Sequence, residues 1–427
     1  MQMKMRGERE SRVRYYSRSI DRVFTTGDGP YVVDIDGNKY IDFFCAAGAL
    51  SMGHSPKPIS EAVIKYLSAN GIISSLDLNS VSKIEFIESF DEIILKPRKL
   101  DYLIQFTGPT GTNAVEAALK LARLYTGRVP IVAFTNGFHG ASLGALSATG
   151  SSLLRGAAGV PLDGIIRMPY EGYSDGIDGI SYLDQLLRDP SSGIDAPAAF
   201  IVETIQAEGG VNVASAKWMN RLAALARKVG ALLIIDDVQV GCGRSGTFFS
   251  FENMNFTPDI VCLSKAIGGM GFPMALVLMR PELDVWQPGG HNGTFRGNNT
   301  AFVASKALLS NYWSDVAFTG SLSQKCKTLD DLLGNVAAKH SGFVINVKGR
   351  GFIRGVLMES AAAAGEVQQE ALNLGLLVET CGPHGEVIKL LPPLNSSDEI
   401  LRAANEILDE AITRTQDRQG LRRGRIA

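Results

Sequence analysis

Ala231-Leu-Leu-Ile-Ile-Asp236-Asp237-Val-Gln239 and Pro258-Asp-Ile-Val-Cys-Leu-Ser-Lys265 share one pattern: a short apolar run that ends abruptly in charge. An apolar run with no polar alternation suits a strand buried on both faces, as in a parallel sheet. In such sheets ligands sit at the carboxyl ends of the strands. An Asp and a Lys are therefore delivered to the rim where ligands bind. That pairing suits pyridoxal phosphate (PLP) chemistry. A Lys amine forms a Schiff base with the cofactor aldehyde, and a carboxylate pairs with the pyridinium nitrogen. An Asp and a Lys at strand ends also occur without any such role, so the other parts of the chain must be weighed.

A phosphate cradle is the next part needed. Phe106-Thr-Gly-Pro-Thr110-Gly111-Thr112-Asn113 follows the apolar run Tyr102-Leu-Ile-Gln-Phe106 and leads into Ala114-Val-Glu-Ala-Ala-Leu-Lys-Leu-Ala-Arg123, rich in helix formers. Strand, Gly-rich turn and helix start present free N–H groups and the helix dipole to an anion. No Gly-Lys-[Ser/Thr] follows, so this is not a nucleoside-triphosphate loop. A plain Gly turn with Thr as helix cap fits the segment equally well. Phe138 and His139 follow the apolar run Pro130-Ile-Val-Ala-Phe134. A Phe there can stack on a heteroaromatic ring or belong to the core; a His there can serve the site or simply hold structure by a hydrogen bond. Ala198-Ala-Phe-Ile-Val-Glu203 again ends in a carboxylate, with Glu208-Gly-Gly210 just beyond. One such carboxylate could be a surface accident; two look placed.

With 427 residues the chain can hold a sizeable core and two domains. Lys plus Arg number 42 and Asp plus Glu 44, a balance that gives no field suited to nucleic acid or an anionic membrane. Five cysteines are scattered, with no CxxC or Cys/His cluster to suggest a metal site. A reducing cytoplasm fits them best. The first ten residues are charged and lack the apolar centre of a signal peptide. No run of about 18 apolar residues suggests a membrane span. The tail from Arg414 is polar and basic, which predicts a solvated, fraying helix end.

Apolar runs alternate with helix-like segments between about residues 100 and 280. Strands are predicted over 102–106, 130–135, 198–202, 231–236, 259–263 and 274–279, and helices over 112–126, 183–188 and 216–228. That alternation predicts an α/β fold with a doubly wound, mostly parallel sheet. Tyr31–Phe43 reads as a hairpin around Asp36-Gly37. The part beyond about 315 reads as α+β, with a helix over 398–413 after Pro392-Pro393. The expected division is an N-terminal segment, 1–60, contributing to a small domain; a large domain, 61–314; and a C-terminal small domain, 315–427.

From about residue 15 to 413 the chain resembles the class III aminotransferases of the fold-type I PLP enzymes. The landmarks are Gly53-His54, Thr110-Gly-Thr112, Phe138-His-Gly140, Glu203 with Glu208-Gly-Gly, Asp236-Asp-Val-Gln239 with Gly243-Arg-Ser-Gly246, Ser264-Lys265 and Thr294-Phe-Arg-Gly-Asn298. Within the class, the segments 106–123, 134–140, 248–252 and 289–299 are similar to the diaminobutyrate–2-oxoglutarate group, the ectoine-pathway type with siderophore and antibiotic relatives. The resemblance implies a seven-stranded sheet with helices on both faces, and a homodimer with shared active sites, pairing into tetramers left open. It implies Lys265 as Schiff-base lysine and proton shuttle, and Asp236 on the ring nitrogen. Val238 and Phe138 would sandwich the ring, with Gln239 near its phenolic oxygen and His139 and Glu203 around the cofactor. Thr110, Gly111 and Thr112 would hold the phosphate, joined by Thr294 from the neighbouring subunit. Glu208 would lie over the substrate side chain. Lys389 stands where relatives acting on GABA or ornithine carry an Arg that clamps a carboxylate; a Lys offers a point charge instead, so Lys389 would be a substrate-binding residue alongside Glu208, with the carboxylate clamp itself left open. The implied reaction takes an amino group from L-glutamate to L-aspartate 4-semialdehyde, giving L-2,4-diaminobutyrate and 2-oxoglutarate. Another ω-aminotransferase (acetylornithine, ornithine or GABA), a same-fold aminomutase or racemase, and a non-catalytic PLP-binding module are the rival readings.

Overall fold

The computed structural model describes residues 9–424, with side chains through residue 420. The outermost residues of the charged N-terminus and of the basic tail, 1–8 and 425–427, lie outside the described residues.

The predicted strands form one seven-stranded sheet in the order Leu103–Phe106, Leu276–Met279, Ile260–Leu263, Leu232–Asp236, Ala199–Val202, Ile131–Phe134, Ile165–Met168. Only Leu276–Met279 runs antiparallel to its neighbours. Both faces are covered, as continuous apolar runs require. Ile131, Ala133, Ala199, Ile201, Ile234, Ile260 and Cys262 pack on one side with the helix Gly111–Thr126. The alternate residues Val132, Phe134, Phe200, Val202, Leu233, Ile235, Val261 and Leu263 enter the larger core on the other. Four of the seven buried residues of Gly111–Thr126 are Ala, which lets its backbone lie close to the sheet.

Ile165–Met168 was not among the predicted strands. It is an edge strand, partly exposed along three of its four residues and carrying Arg167, so it shows no continuous apolar run. The helix predicted over 183–188 starts earlier, at Gly179, because Asp178 accepts the Ser181 N–H and caps it. The C-terminal helix spans Asp398–Gly424 and continues into the basic tail.

The hairpin around Asp36-Gly37 pairs Tyr31–Asp34 with Lys39–Asp42. A distant segment joins it: Leu376–Leu377 pairs in parallel with Ile41 and Asp42. The N- and C-terminal parts of the chain thus share one small sheet. A second four-stranded sheet follows the order Val344–Arg350, Ile353–Met358, Val387–Leu390, Glu379–Cys381. Its Val387–Leu390 strand carries Lys389 toward the rim of the large sheet. Among the described residues no helix is long and apolar enough to cross a membrane.

Candidate active site

A cavity of about 240 Å³ opens at the carboxyl ends of the central strands. Thr110, Gly111, Thr112, Phe138, His139, Glu203, Glu208, Asp236, Val238, Gln239 and Lys265 all line it. Eleven of the thirteen residues singled out from sequence therefore meet in one place. Thr294 and Lys389 do not line it.

Asp236 ends its strand with its side chain toward the cavity. Oδ2 lies 2.7 Å from His139 Nδ1, and Oδ1 accepts the Val238 N–H at 3.1 Å. Both Asp236 and His139 are almost wholly buried. His139 therefore orients the carboxylate across 97 residues of sequence. Asp237 points the other way, as strand alternation demands. It accepts the Ser250 N–H at 2.9 Å and the Ser250 hydroxyl, and burial pushes its carboxyl up to about 7. Of the two adjacent acids only Asp236 faces the cavity.

Lys265 opens a short turn after Ile260–Leu263 with φ of 52°, a left-handed conformation uncommon for a non-glycine residue. Its Nζ donates to Ala47 O at 3.0 Å. That carbonyl lies in a second strained segment: Cys45, Ala46 and Ala47 have φ of 48°, 50° and 53° in succession. Gln239 Nε2 also donates to Ala47 O, at 3.0 Å. Backbone strain on both sides of one contact marks a position that the surrounding fold over-determines. Burial lowers the Lys265 amine below its ordinary value. A greater share of neutral amine makes it a better nucleophile and proton acceptor.

The cradle is formed by the start of Gly111–Thr126. Thr110 occupies the N-cap position but makes no capping bond; its hydroxyl donates to Asn113 Oδ1 at 2.8 Å. Thr110 therefore caps only through its backbone carbonyl, which accepts the Asn113 N–H at 2.9 Å, and among the described residues the Gly111 and Thr112 N–H groups remain available to an anion. Space is reserved too. A Cβ on Gly111 would come within 2.6 Å of Val238 Cγ1, and one on Gly140 within 2.4 Å of Thr112 Oγ1. Ser142, which the sequence reading missed, lies 2.6 Å from Thr112 Oγ1 through its own hydroxyl and bonds Glu116 at 2.7 Å. No motif singles out Ser142; only the loop's return to the helix start brings it there.

PLP fits these residues. The helix start and the Thr112 hydroxyl suit its phosphate, Asp236 suits a protonated ring nitrogen, and Lys265 suits its aldehyde. Val238 and the partly exposed Phe138 both line the cavity. Bound there, PLP would supply the electron sink for loss of a proton next to an amine. With that group bound, Asp236 would be the residue to hold the ring charged and Lys265 the one to serve as base. Glu203 Oε2 accepts the Phe138 N–H at 2.9 Å, which positions that ring's backbone. Burial and then the nearby Asp236 charge raise the Glu203 carboxyl well above the usual carboxylate range.

Lys389 is fully buried. Its Nζ lies 2.6 Å from Glu208 Oε1, 3.1 Å from Glu379 Oε1 and 3.2 Å from Gln239 Oε1. A chain of contacts thus runs from Lys265 through Ala47 O and Gln239 to Glu208 and Lys389. Burial opposes the Glu208 charge, but Lys389 and Lys265 outweigh it and hold the carboxyl at about 2. Burial opposes the Lys389 charge as well, and Glu208 and Glu379 overcome it, raising the amine above its ordinary value. The ammonium does not reach solvent, and it stands behind Glu208 instead of in the cavity. Lys389→Met should therefore strand the buried Glu379 carboxylate and leave the partly exposed Glu208 without its cation, costing about 3 kcal/mol of stability. Thermal unfolding of the purified variant checks this; an unchanged Tm would show that the pair contributes nothing to the fold.

Thr294 lies in the exposed turn Thr294–Arg296, beside the cradle loop: a Cβ on Gly293 would stand 3.8 Å from Gly108 Cα.

The comparisons agree with this geometry. The family model described as "Aminotransferase class-III" matches residues 15–412. Diaminobutyrate–2-oxoglutarate transaminase of Halalkalibacterium halodurans is 49% identical over 404 residues, covering 94% of each chain. The enzyme of the same name from Nocardia farcinica is 50% identical over 404 residues, covering 94% of this chain and 92% of its own. Ornithine aminotransferase of Toxoplasma gondii ME49 superposes with a TM-score of 0.82 at 25% identity, covering 96% of this chain and 94% of its own. A second structure of the Toxoplasma gondii enzyme, with PLP at partial occupancy in its active site, gives 0.80 at 26% identity, covering 93% of this chain and 92% of its own. With the fold, the cradle and the Asp236–Lys265 pair in place, the chain belongs to the class III aminotransferases and is a PLP-dependent enzyme of amino-group transfer.

Proposed function

We propose that this enzyme transfers the amino group of L-glutamate to L-aspartate 4-semialdehyde, forming L-2,4-diaminobutyrate and 2-oxoglutarate. The observation that carries the reading is the buried Lys389 held between Glu208 and Glu379 directly behind the cavity wall. A clamp built for carboxylates alone would present a free guanidinium or ammonium; here the cation is already neutralised. Such a wall tolerates the ammonium-bearing head of a diamino acid. Relatives that are 47–50% identical along nearly their whole length and named diaminobutyrate–2-oxoglutarate transaminase support the same substrates. The roles follow the site: Lys265 as covalent anchor and base, Asp236 on the ring nitrogen with His139 behind it, and the 110–112 turn on the phosphate.

A homodimer belongs to this reading. Ile72, Ile73, Leu78 and Val81 are each more than half exposed, as is Phe295 beside Thr294. Ser74 pairs with Asn298, so these apolar residues and the Thr294 turn belong to one surface region. Apolar residues gathered this way mark an interface. In this reading a second copy docks on that surface and Thr294 serves the neighbour's phosphate site. Amino transfer from diaminobutyrate to 2-oxoglutarate, followed as glutamate formed, tests the substrates. Faster turnover with ornithine, N-acetylornithine or GABA would replace them, and return of the amino group without 2-oxoglutarate uptake would point to a mutase. Sedimentation of the holoenzyme as a monomer would remove the shared site.

A further inference from the structure

Glu379 faces Lys389 in register on the neighbouring antiparallel strand. Both side chains are shut off from water: Glu379 is 1% exposed and Lys389 0%. The 3.1 Å approach of Lys389 Nζ to Glu379 Oε1 is an ion pair outside hydrogen-bond alignment, and neither carboxylate oxygen of Glu379 has a hydrogen-bond partner among the described residues. A buried carboxylate held by one shared ammonium alone is costly, and an apolar residue would suit this strand better. Its presence beside the cavity therefore calls for a use.

The use is visible in the charges. Two carboxylates, Glu208 and Glu379, share one ammonium. Glu208 lines the cavity, so the surplus negative charge faces the substrate. An amino acid with a second ammonium gains from that charge, and a dicarboxylate loses. Without Glu379, Lys389 and Glu208 would cancel and the preference would disappear.

We propose that Glu379 is a specificity-determining positioning residue: acting through Lys389, it biases the cavity wall toward cationic diamino acids and against dicarboxylates. This rests on the reading above, in which diaminobutyrate and glutamate are the opposed amino donors.

The test is the KM of L-2,4-diaminobutyrate and of L-glutamate in the Glu379→Gln holoenzyme at about pH 8. Burial raises the Glu379 carboxyl to about 7, so the wild-type group is mostly ionised there. Removing one charge across a partly screened gap should raise the diaminobutyrate KM and lower the glutamate KM, each about tenfold. Values of kcat should stay within a few-fold, because Glu379 touches no reacting atom. Glu379→Asp, which keeps the charge, should return both KM values toward wild type. Two KM values that move together or not at all, or an Asp variant that copies the Gln variant, would overturn the proposal.

Should Glu379→Gln not fold, the wild type decides by titration. The glutamate-to-diaminobutyrate KM ratio should rise between about pH 6 and 8 as Glu379 ionises. The groups that face it are Lys389, Glu208, Lys265, Cys381 and Tyr16. Glu208 is held at about 2, Cys381 is pushed up to about 12, and Lys389 and Tyr16 are raised above their ordinary values, so none of these titrates in that window. Lys265 is tied to the cofactor in the holoenzyme. A flat ratio would overturn the proposal. If the wild type does not use diaminobutyrate, only the substrate assignment falls, and ornithine serves as the cationic donor in the same measurements.

Discussion

Lys265→Ala should fold, bind PLP and fail to turn over. The side chain makes one hydrogen bond, to Ala47 O, so its removal costs the fold little. The left-handed backbone at 265 carries over unchanged, because Ala meets the same φ penalty as Lys. Chemistry loses both the covalent anchor and the base. The proton-transfer role alone is worth about 10²–10⁴-fold, and loss of the anchor adds to that. The wild-type holoenzyme should be yellow and bleach on addition of glutamate; the variant should show no steady-state formation of 2-oxoglutarate. Sustained transamination by Lys265→Ala would take the residue out of the mechanism, whatever its position in the cavity.

Asp236→Asn should cost on the order of 3 kcal/mol or more in the barrier, by removal of one preorganised charge at the reacting ring. The substitution keeps the volume of a side chain that is 4% exposed, and an amide can still meet His139 with the ring's tautomer reversed. Folding and PLP content should thus survive far better than kcat. What is lost is the charge that holds the ring nitrogen protonated, and with it the sink for the electrons released with the proton. Near-normal kcat would reassign that role. Asp237 would not be the candidate, since its carboxylate is committed to Ser250 on the opposite side of the strand.

His139 illustrates how a site residue can be visible while its work is not. The sequence places a His after an apolar run and leaves open whether it holds structure or serves the site. The fold answers that it does both: it fixes Asp236, 97 residues away, at 2.7 Å. Thr110 is a similar case. Composition allowed a helix cap or a phosphate contact, and the structure shows a hydroxyl that makes no capping bond and donates to Asn113 Oδ1.

What the sequence determined by itself is whatever depends on the local period and on strand ends. Continuous apolar runs at 199–202, 232–236 and 260–263 are buried on both faces, and each delivers its terminal polar residues to one rim. The parallel sheet, the cradle and the Asp236–Lys265 pair follow from that. Left to the tertiary structure was everything that rests on pairing between distant segments. Ile165–Met168 is an edge strand whose half-exposed residues need no apolar pattern. Leu376–Leu377 is two residues long and acquires meaning only beside Lys39–Asp42. Glu379 is a lone carboxylate in a short strand, with nothing in its neighbours to distinguish it from a surface acid. It becomes a buried partner of Lys389 because two antiparallel strands meet in one register, and register is a property of the assembled sheet.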